Sequence, residues 1–443
     1  MSRAKSMAGL CGLLLAMSLM CQQKVAAQRL VTSDSETAEL RRRVHELEER
    51  LAKLEAEKEA QKSEETAANV AAAPAAGEST GAEATAPAKP ADAKSQDEGF
   101  LEFFRKVEVS GFVDGYYSYN FNKPAGRANV IRNFDTRNNQ FALNMAEIVF
   151  EKKPDPANSR LGFRLDLDFG PATDLVHASE PGGREVYKVI QQAYGSYLAP
   201  VGAGLQFDFG KFVTMHGAEV IETKDNWNYS RGLLFAWAIP YYHAGLRANY
   251  AFNDKVKVMG MVVNGWNNVE ENNGGKTYGV MLGLNPTSKL AIIQNYMTGP
   301  EQGGDDDHYR HLSDTTVTYT FNSKVAVMAN YDYGFDRPTA GGKVHWQGVA
   351  AYLRYVPHRK WAISPRFEWF DDHDGYSTGV AQTLKEITLT GEYRLAPSLL
   401  TRLEYRRDWS DQPFFPKSDP AVLSKAQTTI LAGLIWTFGT REQ

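Results

Sequence analysis

The feature that most limits how this chain can fold is an alternation of apolar and polar residues that starts near Val107 and continues to Phe438. In the stretch 160–169 every odd position is apolar, whereas positions 160, 164, 166 and 168 are arginine or aspartate. Successive side chains of a β-strand point to opposite faces, so this period of two predicts strands with one apolar and one polar face. The alternation recurs often enough to predict about 16 strands.

Three traits favour a membrane barrel over a soluble sandwich. The polar faces carry charges of both signs, which suit a water-filled interior, and the apolar faces often end in Tyr, Trp or Phe. Connections also alternate in length. The predicted short connections are 253–254, 286–289, 322–323, 357–360 and 396–398. The predicted long ones are 267–276, 299–311, 335–345, 371–382 and 410–425. We therefore expect an all-β fold, a transmembrane antiparallel β-barrel of the outer-membrane type.

The N-terminal residues predict export and argue against cysteine chemistry. Residues 1–27 have a basic start, an apolar middle and a small-residue cleavage site, which is the pattern of a secretory signal peptide. Cleavage after Ala27 would remove both cysteines, Cys11 and Cys21. A lipoprotein signal at Cys21 is the alternative, although Met20 stands where a small residue is preferred. Beyond this stretch no apolar run is long enough for a transmembrane helix, and a net charge of -4 argues against a nucleic-acid partner.

Residues 28–65 predict a periplasmic coiled-coil helix, and residues 66–98 predict an Ala/Pro-rich flexible linker before the barrel, which we expect to occupy residues 99–443. The a and d heptad positions of the helix are occupied by Val44, Leu47, Leu51 and Leu54. A parallel homotrimer through this seam is one interpretation, because attachment to a trimeric barrel would raise the local concentration of the helices. A single solvated helix with a leucine stripe is the other.

One connection, residues 213–243, is too long for a hairpin turn and is unusually aromatic. Loops of this length are usually functional or disordered. This loop carries Trp227, Tyr229, Phe235, Trp237, Tyr241 and Tyr242. Such side chains have to pack against something, so we predict that the loop folds into the barrel and narrows a pore. A packed surface loop on the rim is the alternative.

The polar strand faces and this loop supply the candidate pore-lining residues. Five arginines lie on late strands that would be neighbours: Arg354, Arg366, Arg394, Arg402 and Arg406. Three acidic residues lie in the long loop: Glu219, Glu222 and Asp225. A basic wall that faces an acidic loop would create a transverse field and set ion preference. In the alternative interpretation the arginines simply pair with carboxylates of the same strands, which are Glu368, Glu392, Glu404 and Asp408.

Glu368 and Glu404 are themselves candidates for the lining, and the remaining candidates are Arg164, Asp166, Asp168 and Arg247. Asp166 and Asp168 share a face with Arg164, so an ion-paired ladder is the arrangement we expect. A Ca²⁺ site is the alternative for the two aspartates. We expect no catalytic residue, no cofactor and no metal.

Six short segments within the predicted barrel carry a resemblance to a known family. They are G-F-V-D-G-Y-Y (Gly111–Tyr117), L-N-M-A-E-I (Leu143–Ile148), G-K-F (Gly210–Phe212), G-A-E-V (Gly217–Val220), D-N-W-N-Y-S-R (Asp225–Arg231) and A-I-P-Y-Y-H-A-G-L-R (Ala238–Arg247). Taken together they resemble the OmpL-like β-barrel porin family over about residues 105–438. The resemblance implies an outer-membrane barrel of porin type and brings no catalytic residues.

The expected function is therefore non-enzymatic. We expect a porin in the lipid of the cell outer membrane, through which small hydrophilic solutes or ions diffuse passively. One alternative is an outer-membrane anchor that tethers the coiled coil, with a contact to the cell wall. The other is an outer-membrane lipid hydrolase. His216, His243 and Ser230 lie in or beside the long loop, but the chain contains no G-x-S-x-G nucleophile motif.

Overall fold

The computed structural model describes residues 106–180 and 185–440. The predicted signal peptide, coiled-coil helix with its heptad seam, and linker lie outside the described residues. Within them, sixteen strands form one closed antiparallel barrel, in which β1 pairs with the last strand, β18, to complete the ring. The predicted fold class and strand number are confirmed.

The barrel strands follow one another around the ring in chain order. They are β1 (Glu108–Asn120), β2 (Gln140–Lys152), β3 (Leu161–Phe169), β4 (Ile190–Ala199), β5 (Leu205–Val213), β6 (Tyr242–Ala251), β7 (Val256–Val263), β8 (Thr277–Thr287), β9 (Leu290–Gln302), β10 (Asp305–Asn322), β11 (Val325–Asp336), β12 (Val344–His358), β13 (Trp361–Asp372), β14 (Gln382–Ala396), β15 (Leu399–Ser410) and β18 (Ala426–Gly439). The small elements in the connections are the β16–β17 hairpin (Phe415–Pro416 and Leu423–Ser424), two short α-helices, α1 (Pro171–Val176) and α2 (Leu233–Trp237), and two 3₁₀ helices, Glu185–Val189 and Thr223–Asp225. No helix in the described ranges is long and apolar enough to cross a membrane.

The two ends of the barrel differ in the length of their connections. At one end, which we call the short-turn end, strands are joined by turns such as 288–289 and 323–324. At the other, the long-loop end, the connections include 121–139, 214–241 and 411–425. This alternation is the outer-membrane pattern, in which short turns face the periplasm.

One predicted long loop is a hairpin instead. Residues 299–311 were expected to be irregular, but β9 continues to Gln302 and β10 begins at Asp305. The turn consists of Gly303 and Gly304, and Gly304 has a φ of 70°, a conformation that glycine adopts without steric cost. The Gly, Pro and Asp content of this stretch therefore reflects a tight turn and two solvated strand ends.

The strands place apolar side chains outward and polar side chains inward. Leu389, Leu403 and Trp436 are exposed on the outer surface, whereas Asp114 and Glu368 are buried inside. This reverses the arrangement of a soluble protein and suits a barrel whose outer face meets lipid. Closure of the ring also leaves no strand edge whose backbone groups would face hydrocarbon.

A β-bulge explains a break in the alternation near Met145. The pairing between β1 and β2 runs from Asp114 opposite Met145 to Gly115 opposite Leu143, so that Asn144 is an extra residue. Asn144 and Met145 are both buried, and the Asn144 amide donates to Asp114 Oδ2 at 3.0 Å. The extra residue shifts the phase of β2, as bulges do.

The assignment of the outer face can be tested on β14. Leu389 lies in the middle of the strand, and Leu395 lies near the short-turn end. The two side chains are equally exposed on the outer face, at 49% and 50%. Arginine in the hydrocarbon mid-plane of a barrel costs about 2–4 kcal/mol but only about 0–1 kcal/mol near the interface. Leu389→Arg should therefore lower the free energy of unfolding in lipid vesicles by the larger amount, with Leu395→Arg as the matched control. Equal costs for the two variants would contradict the assignment.

Candidate functional site: the segment inside the barrel

The connection between β5 and β6, residues 214–241, lies inside the barrel, and we call it the inner segment. The order of strands places β13–β15 on the side of the ring opposite β5 and β6. Hydrogen bonds from the inner segment nevertheless reach Arg366 on β13 and both Glu404 and Arg406 on β15. The inner segment therefore crosses the full width of the interior.

Two glutamates of the opposite wall accept backbone N–H groups from the inner segment. Glu404 accepts from Tyr229 at 2.7 Å and from Ser230 at 3.1 Å. Glu368 accepts from the backbone N–H of Leu233, where α2 begins. The first N–H groups of a helix have no partner within it, so Glu368 satisfies a donor that would otherwise be buried unpaired.

Three arginines of the same wall, Arg366, Arg402 and Arg406, donate to backbone carbonyls of the inner segment, and we call them the arginine clamp. The carbonyl partners, at 2.5–2.9 Å, are Thr223, Asn226 and Asn228 for Arg402, Ser230 for Arg366 and Arg231 for Arg406. A guanidinium presents five donors in a rigid fork, so one side chain can hold several carbonyls at once. The three side chains are only 1–3% exposed.

The aromatic residues of the inner segment form a core in the interior of the barrel. Tyr229 packs on Gly433 of β18, where a Cβ atom would come within 2.4 Å of the tyrosine ring. Phe235 and Tyr241 pack against Phe134 of the β1–β2 connection, with ring centroids 6.0 and 6.3 Å away. The aromatic content that distinguishes this connection in the sequence is thus used to fill the barrel.

The inner segment is also attached to the wall on the side of β9 and β10. The backbone N–H of Gly217 donates to Asp314 Oδ2 at 3.0 Å, and the Asn295 amide donates to the carbonyl of Met215 at 2.9 Å. Gly217 has a φ of 91°, which favours glycine. The inner segment is therefore held on several sides of the ring.

The structure divides the predicted lining residues into two sets. The buried set comprises Asp166, Asp168, Glu219, Arg366, Glu368, Arg402, Glu404 and Arg406. The water-accessible set comprises Arg164, Glu222, Asp225, Arg247, Arg354 and Arg394. Solvent thus reaches several charged groups nearer the short-turn end, but it does not reach the arginine clamp.

The predicted basic wall and acidic loop are in direct contact. Arg366 and Glu219 pair at 2.6 Å, with no gap between wall and inner segment. Pairing within the wall occurs as well, because Arg354 and Arg402 both pair with Glu392, at 2.7 and 3.0 Å. Opposite charges in contact neutralise one another locally, so the transverse field expected across an open gap is not formed at Arg366.

The predicted ion-paired ladder on β3 is only half formed. Arg164 donates to Asp166 at 2.9 Å. Neither carboxylate oxygen of Asp168 has a hydrogen-bond partner among the described residues. The expectation is therefore wrong for Asp168, because this residue lies four positions from Arg164, about 13 Å along an extended strand.

Sequence reasoning missed the part played by the connection 121–139. This connection also folds into the interior, at the long-loop end, where Phe134 is buried. Arg132 pairs with Asp135 and with Asp408 on β15, both at 2.6 Å. The length of the connection, well above that of a hairpin turn, is the sequence signal that could have identified it.

His216, His243 and Ser230 all lie inside the barrel. Both histidines contact the Thr214 hydroxyl at 3.1 Å, and Ser230 Oγ accepts from Arg406 at 3.2 Å. Burial lowers the pKa of His216 in the inner segment to about 4, so this side chain is neutral at pH 7. None of the three faces the outer surface, where a lipid hydrolase would meet its substrate.

Two groups of side chains in the described residues have the spacing of metal ligands. One lies at the long-loop end and is accessible to water: His345, His373 and Asp374. The other lies inside the barrel: Glu147, Asp166 and Glu222. The second group connects the inner segment with the wall at β2 and β3.

The chain matches one family and shares its fold with porins of known structure. Residues 106–438 match the family described as "Putative beta-barrel porin-2, OmpL-like". The anion-selective porin from Comamonas acidovorans is 10% identical, with a TM-score of 0.53 over 75% of this chain and 99% of that chain. OmpT of Vibrio cholerae, folded in vitro and in its trimer form, is 13% identical, with a TM-score of 0.50 over 75% of this chain and 99% of that chain. No curated protein matches the chain.

The family match covers the whole barrel and the inner segment, which agrees with the resemblance found in the sequence. Family and fold are those of an outer-membrane β-barrel porin. The chain belongs to the OmpL-like β-barrel porin family and is an outer-membrane porin.

Proposed function

We propose that this porin passes small hydrophilic solutes and ions by passive diffusion, and that the inner segment sets both the size limit and the access to the path. The observation that carries the proposal is the burial of the arginine clamp under the inner segment. In this conformation a water molecule does not reach the wall at Arg366, Arg402 or Arg406. Passage along this wall therefore requires the inner segment to give up part of its contact with it.

The nature of these contacts supports a movable barrier. They are hydrogen bonds and ion pairs in a buried, polar setting, and no covalent link holds the inner segment to β13 or β15. Hydrogen bonds to charged groups contribute only about 1.5–3 kcal/mol each. When entering water takes the place of the lost partners, loss of a few such bonds can therefore shift the inner segment without unfolding the barrel.

A second candidate function is favoured by the same filling of the interior. If the inner segment never moves, the barrel serves as an outer-membrane anchor, and the predicted coiled coil would reach from it toward the cell wall. The two functions differ in whether the folded protein conducts, and either role is passive and involves no covalent chemistry.

Conductance in planar bilayers tests the proposal. Replacing both Arg402 and Arg406 with alanine removes two members of the clamp, so larger or more frequent single-channel steps are expected than for the wild type. Arg407→Ala is the matched control, because Arg407 is the next residue on β15 and is exposed outside the interior. Folding of each variant is checked by its heat-dependent migration in gels.

A further variant covers the case in which the wild type is silent. Replacement of residues 217–239 by a short Gly/Ser linker should then open the barrel to stable conductance. Silence of the folded wild type and of the clamp variant, with conductance only after this replacement, would support the anchor. Silence of all folded variants would contradict a porin.

Anion preference is the selectivity that we propose. A cavity of about 700 Å³ opens at the short-turn end and is lined by four basic residues and one acidic residue: Lys224, Arg359, Lys360, Arg394 and Asp225. A basic mouth attracts anions and raises their local concentration. The related structure from Comamonas acidovorans is that of an anion-selective porin, which is consistent with this proposal.

Reversal potentials in a salt gradient test this selectivity. Replacing Lys360 and Arg394 with glutamine should shift the reversal potential toward cation preference. Lys255→Gln is the control, because Lys255 is exposed in a different short turn and does not line the cavity. An unchanged reversal potential in the double variant would rule out the basic mouth as the source of selectivity.

We also propose a homotrimer held by the predicted coiled coil. Leu47→Asp combined with Leu51→Asp places charges in the seam and should lower the native mass of the detergent-solubilised protein. Glu48→Gln, outside the a and d positions, serves as the control. A native mass that both variants leave unaltered would count against the coiled coil as the source of assembly.

A further inference from the structure

We propose that four carboxylates inside the barrel bind a divalent cation of the size of Ca²⁺. They are Glu147 on β2, Asp166 and Asp168 on β3, and Glu222 in the inner segment. Carboxylate oxygens of Glu147, Asp166 and Glu222 lie within 4.8 Å of one another. Ca²⁺ lies about 2.4 Å from each oxygen ligand, so oxygens on opposite sides of one ion are about 4.8 Å apart.

Unpartnered buried oxygens are the second observation. Asp168 is 0% exposed and Glu147 is 1% exposed. Neither oxygen of Asp168, nor Glu147 Oε1, has a hydrogen-bond partner among the described residues. Buried carboxylates are normally paired or bound to a metal, because burying an unpaired charge is costly.

The nearby basic side chains are engaged with other groups. Lys211 donates to Glu180 at 2.6 Å, and Lys224 pairs with Asp225 at 2.5 Å. Arg164 donates to Asp166 and is the only basic partner of the four carboxylates by hydrogen bond within the described residues. The four carboxyl groups therefore outnumber their basic partners, and a dication would balance their charge when they ionise.

The donor set selects the kind of cation. Every ligand is an oxygen, which suits a hard cation, and soft or imidazole ligands for a transition metal are missing from this group in the described residues. Gln191 adds a buried amide oxygen without a partner, while its amide nitrogen donates to Glu222 at 2.7 Å. Ca²⁺ accepts six to eight oxygens in flexible geometry, whereas Mg²⁺ demands a near-ideal octahedron.

The site would tie the inner segment to the wall. Glu222 belongs to the inner segment, while Glu147 and Asp168 belong to strands β2 and β3. A cation among them would add a cross-link to β2 and β3, next to Thr223, whose carbonyl accepts from Arg402 of the clamp. Binding itself does not depend on conduction, so the proposal stands or falls separately from the proposed function.

Calorimetric titration of the refolded protein tests the site. The protein is folded in detergent without lipopolysaccharide, treated with EDTA, dialysed, and titrated with CaCl₂ or MgCl₂. We expect one Ca²⁺ per barrel, bound more tightly than Mg²⁺, and a rise in the midpoint of thermal unfolding with Ca²⁺ concentration. Absence of saturable Ca²⁺ binding by the folded protein would overturn the proposal.

Variants locate the site. Asp168→Asn and Glu222→Gln should each weaken Ca²⁺ binding by roughly tenfold or more. In EDTA, Asp168→Asn should unfold at a higher temperature than the wild type, because it replaces a buried carboxyl group that lacks a hydrogen-bond partner and lies beside other carboxyl groups. Asp332→Asn is the matched control, since Asp332 is a fully buried carboxylate of β11 that also has an unpartnered oxygen.

Ca²⁺ affinity in the Asp332→Asn control should match that of the wild type. The location would be refuted if the control lost as much Ca²⁺ affinity as Asp168→Asn. Wild-type Ca²⁺ affinity in both Asp168→Asn and Glu222→Gln would refute it as well. Should Asp168→Asn fail to fold, Glu222→Gln gives the same readout from the inner segment.

Discussion

The structure depends on the hydrogen bonds that buried charged side chains of the barrel wall make with the backbone of the inner segment. A segment that crosses a barrel interior as irregular chain exposes N–H and C=O groups that must find partners. Glu368 and Glu404 accept the N–H groups, and the arginine clamp donates to the carbonyls. The three arginines of the clamp are in turn paired with carboxylates, as Arg366 is with Glu219 and Glu386. Removing one partner would leave another buried and unpaired, so the set acts as a unit.

The same requirement explains why the core lies where it does. The outer face of the barrel meets lipid, and the closed ring satisfies the strand backbones. The apolar core therefore lies inside the barrel, where Tyr229, Phe235 and Tyr241 pack with Phe134. The interior is thus a polar wall around an aromatic centre. In the proposed function the element that fills the interior also limits the path, which would link stability to access.

Local patterns predicted the elements of this fold but not the contacts between them. The period of two gave the strands and their outer face, and the phase change near Met145 marked the bulge, because both depend only on neighbours in the chain. The aromatic loop was recognisable because its length and composition had no other explanation. The partners of Arg366, and the lack of a hydrogen-bond partner for Asp168, were not predictable, since both depend on the register of neighbouring strands and on the path of the inner segment. The prediction of an irregular loop at residues 299–311 was wrong for a related reason. Its glycine-rich composition does not distinguish a loop from a hairpin with a two-residue turn.

Hydrogen–deuterium exchange of the folded barrel tests most directly whether the inner segment is fixed to the wall. Backbone amides of Tyr229, Ser230 and Leu233 are buried and hydrogen-bonded to glutamates, so peptides from residues 214–241 should exchange far more slowly than exposed loops. They should nevertheless exchange faster than the strands, because the proposed function requires the inner segment to leave the wall without unfolding of the barrel. Peptides from the connection 337–343, whose residues are largely exposed, should exchange quickly and serve as the reference. Exchange of the inner segment at the rate of that reference would contradict the account.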